Sequence, residues 1–372
     1  MKFTDVRYYG ADFQFHTGDV EVEEGRITAV IPHPCQPTAM LLPGLIDIHV
    51  HGNSGADVSD GDGEGLLRMA RFLAINGTTG FSPASMTLPE ETLARAYRTA
   101  AQLHQACPSD AARLYALTME GPFFSAEKKG AQNAAYLHAP DAGMLARLQK
   151  EAEGLIRIAC VAPELPGAME FIEAAAAAGI RVSLAHTAAD YDTAAAAFDR
   201  GASHLTHTFN AMQPMLHRVP GPIAAAAERD NVTAELIADG LHVHPAMVRM
   251  AFRMFGPGRV CLISDAISAC GMPDGTYMLG GQQIHVTGSR ATLADGILAG
   301  SVATLFACLR NAIRFGIPAE EAVRAATATP ARVIGIDDEA GAIREGYSAD
   351  LLLCSLDWEL QAVCLRGQML KR

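Results

Sequence analysis

The chain has 372 residues, nearly half of them hydrophobic, and a net charge of −12. That length suits one large α/β domain with a smaller companion. The acidic balance argues against a general nucleic-acid binder, which needs a cationic face. No apolar run is long enough to span a bilayer, and Met1-Lys2-Phe3-Thr4-Asp5 does not read as a secretory signal, so the expectation is a soluble cytoplasmic protein. The eight cysteines include no Cys-x-x-Cys pair, which fits buried thiols in a reducing compartment better than a disulfide framework.

In chain order, the first forty residues alternate short apolar and polar runs, such as Asp19-Val20-Glu21-Val22 and Arg26-Ile27-Thr28-Ala29-Val30 on either side of Glu24-Gly25. They predict short antiparallel strands. The last thirty residues read alike, through Asp350-Leu351-Leu352-Leu353-Cys354 and Gln361-Ala362-Val363-Cys364-Leu365. The two chain ends are therefore expected to form one small β-sandwich domain, from residues 1–42 and 339–372. Between them, candidate strands begin near Leu45, Thr79, Leu114, Ile156, Arg181, His204, Thr233 and Val260, with helical stretches at 89–106, 142–152, 168–178 and 245–255. Eight apolar strands with helical crossovers predict a (β/α)8 TIM-like barrel over residues 43–274; an open doubly wound sheet is the alternative. No Gly-x-Gly-x-x-Gly follows an early strand, which weakens a dinucleotide-binding reading. The alanine runs at 174–178 and 194–197 read as closely packed helix surfaces. Residues 275–297 look β-like and are expected to join the small domain. Helices at about 301–315 and 318–327 then complete a barrel-associated segment, 298–338.

The stretch Leu42-Pro43-Gly44-Leu45-Ile46-Asp47-Ile48-His49-Val50-His51-Gly52 is the most informative. Alternate residues of a strand point to one face, so His49 and His51 could share one metal. Barrel active sites gather at the C-terminal strand ends. Polar residues fall there repeatedly: Glu120 after the third strand, His186 after the fifth, His207 after the sixth, Asp239 and His242 after the seventh, Asp265 after the eighth. Imidazole and carboxylate ligands suit zinc and its divalent neighbours. Each residue alone has an ordinary alternative: a turn carboxylate for Glu120, core histidines for His186 and His207, a helix N-cap for Asp265, a surface salt bridge for Arg218. His204, three residues before His207 and on the other face of its strand, reads as structural.

Several blocks together resemble the amidohydrolase superfamily and, within it, the N-acetylglucosamine-6-phosphate deacetylase family. They are Pro43 to Gly52, Glu120-Gly121-Pro122-Phe123, Lys128-Lys129-Gly130-Ala131-Gln132, Ala185-His186-Thr187, His207-Thr208-Phe209-Asn210-Ala211-Met212, His217-Arg218-Val219-Pro220-Gly221, Ala238-Asp239-Gly240-Leu241-His242, Ser264-Asp265-Ala266-Ile267 and Leu298-Ala299-Gly300-Ser301. The likeness spans nearly the whole chain. It implies metal-dependent hydrolysis of the acetamide of N-acetylglucosamine 6-phosphate, with another N-acetylhexosamine phosphate, such as N-acetylgalactosamine 6-phosphate, as the near alternative. Another amidohydrolase reaction and a catalytically dead scaffold are more distant alternatives. Many amidohydrolases carry a carboxylated lysine; this chain offers Glu120 instead, with no lysine at the predicted ends of strands three or four.

The resemblance further implies a principal metal on Glu120, His186 and His207, a second on His49 and His51, and Asp265 as catalytic acid/base. The expected cofactor is thus a divalent metal, Zn2+ by the ligand types, one or two per subunit. Ala131, Gln132, Asn210, Ala211, Arg218, His242 and Leu298 would bind the amino-sugar phosphate. Arg218 and His242 would reach the neighbouring subunit's site, so a homodimer is expected, with no nucleic-acid or membrane partner. Three residues depart from the family pattern: Gln132 where a histidine is frequent, Val219 where Glu often follows the Arg, and Thr118 in place of a frequent His. A glutamine at 132 could serve as a neutral donor to the developing oxyanion, but it carries no charge.

Overall fold

A computed structural model describes residues 1–370 of the chain. The eight expected barrel strands are present: Leu45–Val50, Thr78–Pro83, Leu117–Met119 preceded by Arg113–Leu114, Ile156–Val161, Arg181–Leu184, Ala202–Leu205, Thr233–Ile237 and Val260–Ile263. Neighbours pair in parallel, and an Ala84–Thr118 bridge links the second strand to the third. The first and last strands also meet. The Asp265 amide donates to the His49 carbonyl at 2.9 Å, and the His51 amide to the Ala266 carbonyl at 2.8 Å. That closure makes a barrel and removes the open-sheet alternative.

The crossover helices follow from their patterns. Glu90–Ala106 opens with Glu90 and Glu91, favourable beside a helix N-terminus, and buries Leu93, Ala96, Tyr97, Ala100 and Ala101, an i, i+3, i+4, i+7, i+8 stripe. The alanine-rich stretches lie in Ala168–Ala177 and Tyr191–Asp199, whose buried faces mix alanines with Phe171 and Ile172 in the first and Phe198 in the second. After the eighth strand come Leu305–Arg314, Ala319–Ala326 and a third helix, Ala328–Ile334. One buried cluster joins Ile46, Ile158, Ile237 and Ile263 of the strands to Ala331, Val333 and Ile334 of that third helix. Each such aliphatic side chain contributes about 1.5–3 kcal/mol on full burial.

The two chain ends do meet. Among the described residues they form one seven-stranded sheet, ordered Gln368–Met369, Leu360–Leu365, Leu351–Cys354, Met40–Pro43, Lys2–Tyr9, Phe15–Glu23, Arg26–Pro32. Leu351–Cys354 lies antiparallel against Met40–Pro43, so the C-terminal strands dock beside the segment that enters the barrel. The sheet folds over on itself: the Ala349 amide donates to the Gly25 carbonyl, and the Gly367 amide to the Ala349 carbonyl.

The segment 275–297 departs from expectation. It does not pair with the terminal sheet. Gly275–Leu279, Gln282–Thr287 and Arg290–Leu293 make a separate three-stranded antiparallel sheet. Two-residue turns join them, the first through Gly280 and Gly281, so the pairing is local and costs little loop-closure entropy. The inner face, with Leu279, Ile284, Val286 and Ala291, packs on Met86, Ile267, Ala269 and Ala299 beside the barrel mouth.

Gly44 sits where the chain passes from small sheet to barrel. Its amide donates to the Asp350 carbonyl at 2.8 Å. A Cβ there would stand 1.9 Å from Thr79 Oγ1. Gly44→Ala should therefore cost about 1–3 kcal/mol of stability, the usual range for overpacking. An unchanged urea unfolding midpoint would show that Thr79 yields freely.

Candidate functional site

The strand ends bring the expected ligands together. His49 and His51 leave the first strand with ring centroids 5.2 Å apart. Glu120 follows the third strand, and its Oε1 lies 3.2 Å from His186 Nε2, 3.1 Å from His207 Nε2 and 3.5 Å from His49 Nε2. Asp265 Oδ1 lies 3.2 Å from His51 Nε2 and 3.7 Å from His49 Nε2. Two triads of donor atoms result, Glu120–His186–His207 and His49–His51–Asp265. The backbone turns sharply to present them: His186, His207 and Asp265 have positive φ of 44°, 27° and 49°. Non-glycine residues in that region are strained, and such strain gathers at functional sites.

Each imidazole is anchored through Nδ1. His51 meets the Ala84 carbonyl at 2.9 Å, His186 the Lys128 carbonyl at 2.9 Å and His207 the Asn210 carbonyl at 3.2 Å. His49 Nδ1 meets the Glu235 carboxylate at 2.9 Å. A carbonyl only accepts, so Nδ1 of those rings carries the proton and Nε2 of a neutral ring keeps its lone pair. His186 and His207 Nε2 nonetheless lie 3.1 Å apart with Glu120 against both, and His49 Nε2 is buried with no hydrogen-bond partner among the described residues. Such a cluster of lone pairs and a carboxylate calls for a cation. Burial opposes charge on His49 and His51, yet the facing carboxylates outweigh it and raise both pKa values, led by Glu235 for His49 and Asp265 for His51. Burial likewise would push Glu120 up, but His49, His186 and His207 hold it well below the usual range. A divalent metal fits this N/O donor set, with Nδ1 anchors of the kind that orient metal-bound histidines.

A cleft of about 400 Å³ opens above the cluster. Its walls include Ala131, Gln132, Asn210, Ala211, His242 and Leu298, so six of the seven expected substrate contacts converge in one chain. The exception is Arg218, which is exposed and outside the cleft, as is Val219. His242, expected to serve the neighbouring subunit's site, lines the cleft of its own chain. Asp239 pins it there, with Oδ2 2.7 Å from Nδ1 and Oδ1 accepting the His242 amide at 2.9 Å. Burial opposes protonation of His242, but Asp239 prevails and raises its pKa. Gln132 is held at the cleft wall by two hydrogen bonds: its amide donates to Glu120 Oε2 at 2.6 Å and its oxygen accepts from the Thr87 amide at 2.8 Å. Thr118 donates to the Ile48 carbonyl at 2.9 Å and ties the third strand to the first. The three-stranded insertion adds Leu279 to the cleft wall, and Gln282 fastens it to the Ala131 carbonyl.

His204 is buried and holds Glu235 Oε1 at 3.0 Å, the structural role expected. Glu235 itself was missed. It is fully buried, and burial would push its carboxyl up, but His49 and His204 hold it well below the usual range. The available signal was a lone carboxylate inside the apolar run Thr233-Ala234-Glu235-Leu236-Ile237. Asp47 is similar: it accepts from the Ser264 and His49 amides at 3.3 Å each, and burial pushes its carboxyl up to about 7.

Two triads predict separable losses. Glu120→Ala or His207→Ala should abolish the principal metal and with it activity, whereas His49→Ala should remove at most the second metal. Elemental analysis of each purified variant checks this; full occupancy in the Glu120 variant would overturn the ligand set.

A model of the amidohydrolase family matches residues 40–369. The N-acetylglucosamine-6-phosphate deacetylase of Bacillus subtilis (strain 168) is 35% identical over 95% of this chain and 92% of its own. The N-acetylgalactosamine-6-phosphate deacetylase of Escherichia coli O157:H7 is 33% identical, covering 94% of each chain. Among solved structures, a mutant N-acetyl-D-glucosamine-6-phosphate deacetylase from Mycobacterium smegmatis, in complex with N-acetyl-D-glucosamine-6-phosphate, superposes with a TM-score of 0.93 at 33% identity, covering 99% of this chain and 98% of that one. The chain belongs to the amidohydrolase family, in the branch that holds these deacetylases.

Proposed function

We propose that the protein hydrolyses the acetamide of N-acetylglucosamine 6-phosphate to glucosamine 6-phosphate and acetate. The observation that carries this reading is Asp265: a buried carboxylate beside the converged His49 and His51 Nε2 atoms, at the floor of a cleft walled by polar donors. His51 and His49 outweigh the burial of Asp265 and keep its pKa below the ordinary value, so it is ionised and able to take a proton near neutral pH. A divalent metal, zinc by the N/O donor set, supplies Lewis-acid activation of water and of the amide carbonyl when bound. Asp265 takes the proton of the water that attacks the acetyl carbon. It then returns that proton to the nitrogen as the C–N bond breaks, leaving acetate and a free amine. Gln132 holds Glu120 in place throughout, and Asn210 and His242 contact the sugar phosphate.

A phosphate dianion needs an uncompensated cation. The cations on this cleft wall are already engaged, Lys128 with Glu127 at 3.0 Å and His242 with Asp239. Arg218 has no ion pair among the described residues and projects beside exposed Met215, Leu216 and Val219. That arrangement supports a homodimer in which Arg218 completes the partner's site. Among the described residues no helix is long and apolar enough to cross a membrane. The galactosamine epimer is the competing substrate, since a relative bears that name. Acetate release from both 6-phosphates decides: faster turnover of the galactosamine ester would reverse the assignment.

Asp265→Asn is nearly isosteric but cannot accept the proton. Turnover should fall about 10²–10⁴-fold, the span typical of one general acid/base. Near wild-type turnover would remove Asp265 from this role.

Arg218→Ala should cost about 2–5 kcal/mol in kcat/KM for the phosphorylated sugar, as for a largely desolvated charged pair, and leave the unphosphorylated sugar little changed. Arg218→Lys should recover only part, because a point charge lacks the bidentate fork. Heterodimers of Arg218→Ala with Asp265→Asn subunits should regain activity, since one site then holds an intact Asp265 and a donated Arg218. Silent heterodimers would exclude the shared site.

A further inference from the structure

A second cavity, of about 330 Å³, lies at the end of the barrel away from the catalytic cleft. Hydrogen bonds fix its position. Arg181, the first residue of the fifth strand, donates to the Val333 carbonyl at 3.0 Å. Arg113, at the start of the third strand, pairs with Glu339 at 3.2 Å. The segment around 333–339 therefore covers the N-terminal strand ends, whereas the metal cluster sits at the C-terminal ends.

Arg324 from helix Ala319–Ala326, Arg332 from helix Ala328–Ile334 and Arg344 from the link to the small sheet all line this cavity. Asp337 is the carboxylate among the lining residues, so cations are in excess. None of the three arginines makes an ion pair among the described residues. Arg324 stacks on the Phe13 ring, 4.0 Å from its centroid, and Arg344 lies 5.6 Å from the centre of the Tyr347 ring. A guanidinium held by its face keeps its in-plane N–H groups for an acceptor. Arg332 has committed one nitrogen to the Gly258 carbonyl. Burial and the like charge of Arg332 both disfavour the charge on Arg324, a cost that an anion between them would relieve. Independently, Thr329 on the same lining is 2% exposed, and its hydroxyl has no hydrogen-bond partner among the described residues. A buried hydroxyl without a partner is costly.

We propose that this cavity is a binding site for a small phosphate-bearing molecule, with Arg324, Arg332 and Arg344 on the phosphate oxygens and the Thr329 hydroxyl donating to the same group. Forked guanidiniums suit a tetrahedral dianion, and a pocket above about 300 Å³ is in the range that accommodates a small organic ligand. Since Phe13 and Arg344 come from the small-domain side and Arg324 and Arg332 from barrel helices, an occupant would tie the two parts together.

Arginine labelling of the full-length protein by phenylglyoxal, read peptide by peptide, separates this site from the catalytic cleft. Inorganic phosphate and glucose 6-phosphate, which has no acetamide, are the probes, each at millimolar concentration. At saturation a bound anion should slow labelling of Arg324 and Arg344 by about threefold or more while exposed Arg253 is unaffected. Protection by both probes identifies the phosphate ion as sufficient; protection by glucose 6-phosphate alone identifies an ester. Arg344→Gln, at an exposed position that folding should tolerate, should abolish protection of Arg324 and leave KM for the acetylated substrate within about twofold. The proposal is overturned if neither probe protects, if Arg253 is protected equally, or if Arg344→Gln leaves protection of Arg324 intact.

Discussion

The cluster around Glu120 Oε1 is the constraint on which the site depends. Three imidazole Nε2 atoms approach one buried carboxylate oxygen within 3.5 Å, and their Nδ1 atoms are bound behind them. In a low-dielectric interior such a group of lone pairs is stable only with a cation among them. The fold is arranged to keep the rings from escaping that requirement. The anchoring carbonyls of Ala84, Lys128 and Asn210 belong to loops after different strands, and Glu235 reaches His49 from the seventh strand. Barrel closure, which joins His49 to Asp265 through the backbone, then brings the two triads to one place.

Much of this was legible in the sequence because periodicity and strand-end chemistry are local signals. The eight strands, their crossover helices and the ligand types at each strand end could be read without contacts. Glu235 could not, because its role is set by His49, 186 residues away in the chain, and by His204. A single sequence shows such a residue only as a polar oddity in an apolar strand. The insertion was misplaced for a related reason. Alternating residues announce a strand but not its neighbour, and local hairpins outcompete a distant sheet edge when their turns are short. His242 could be placed only through the resemblance, because the contact that orients it, with Asp239 three residues earlier, leaves no periodic signal in the sequence.

The insertion and the small sheet also divide the work of shaping the cleft. The small sheet holds the first barrel strand at its entry, through Gly44 and Asp350, and so sets where His49 and His51 emerge. The insertion acts at the other end of the strands, where Leu279 and the Gln282–Ala131 hydrogen bond bring an apolar wall over the histidine–carboxylate cluster. A wall of that kind lowers the local dielectric, which strengthens every charge interaction at Asp265 and Glu120.

Gln132 follows from the same charge accounting. Glu120 presents Oε1 to His186, His207 and His49, while Oε2 lies 3.5 Å from His51 Nε2 and meets Gln132. A single amide carbon carries both a donor and an acceptor, so one short side chain can hold Oε2 and accept from the Thr87 amide at once. The carboxylate is thereby fixed from both sides without adding charge to the cluster. A histidine at this position would bring a titratable ring to Oε2 and compete, when protonated, with the cation the cluster is built to hold. Glutamine removes that competition. Gln132 thus acts on the cluster through the geometry it imposes on Glu120.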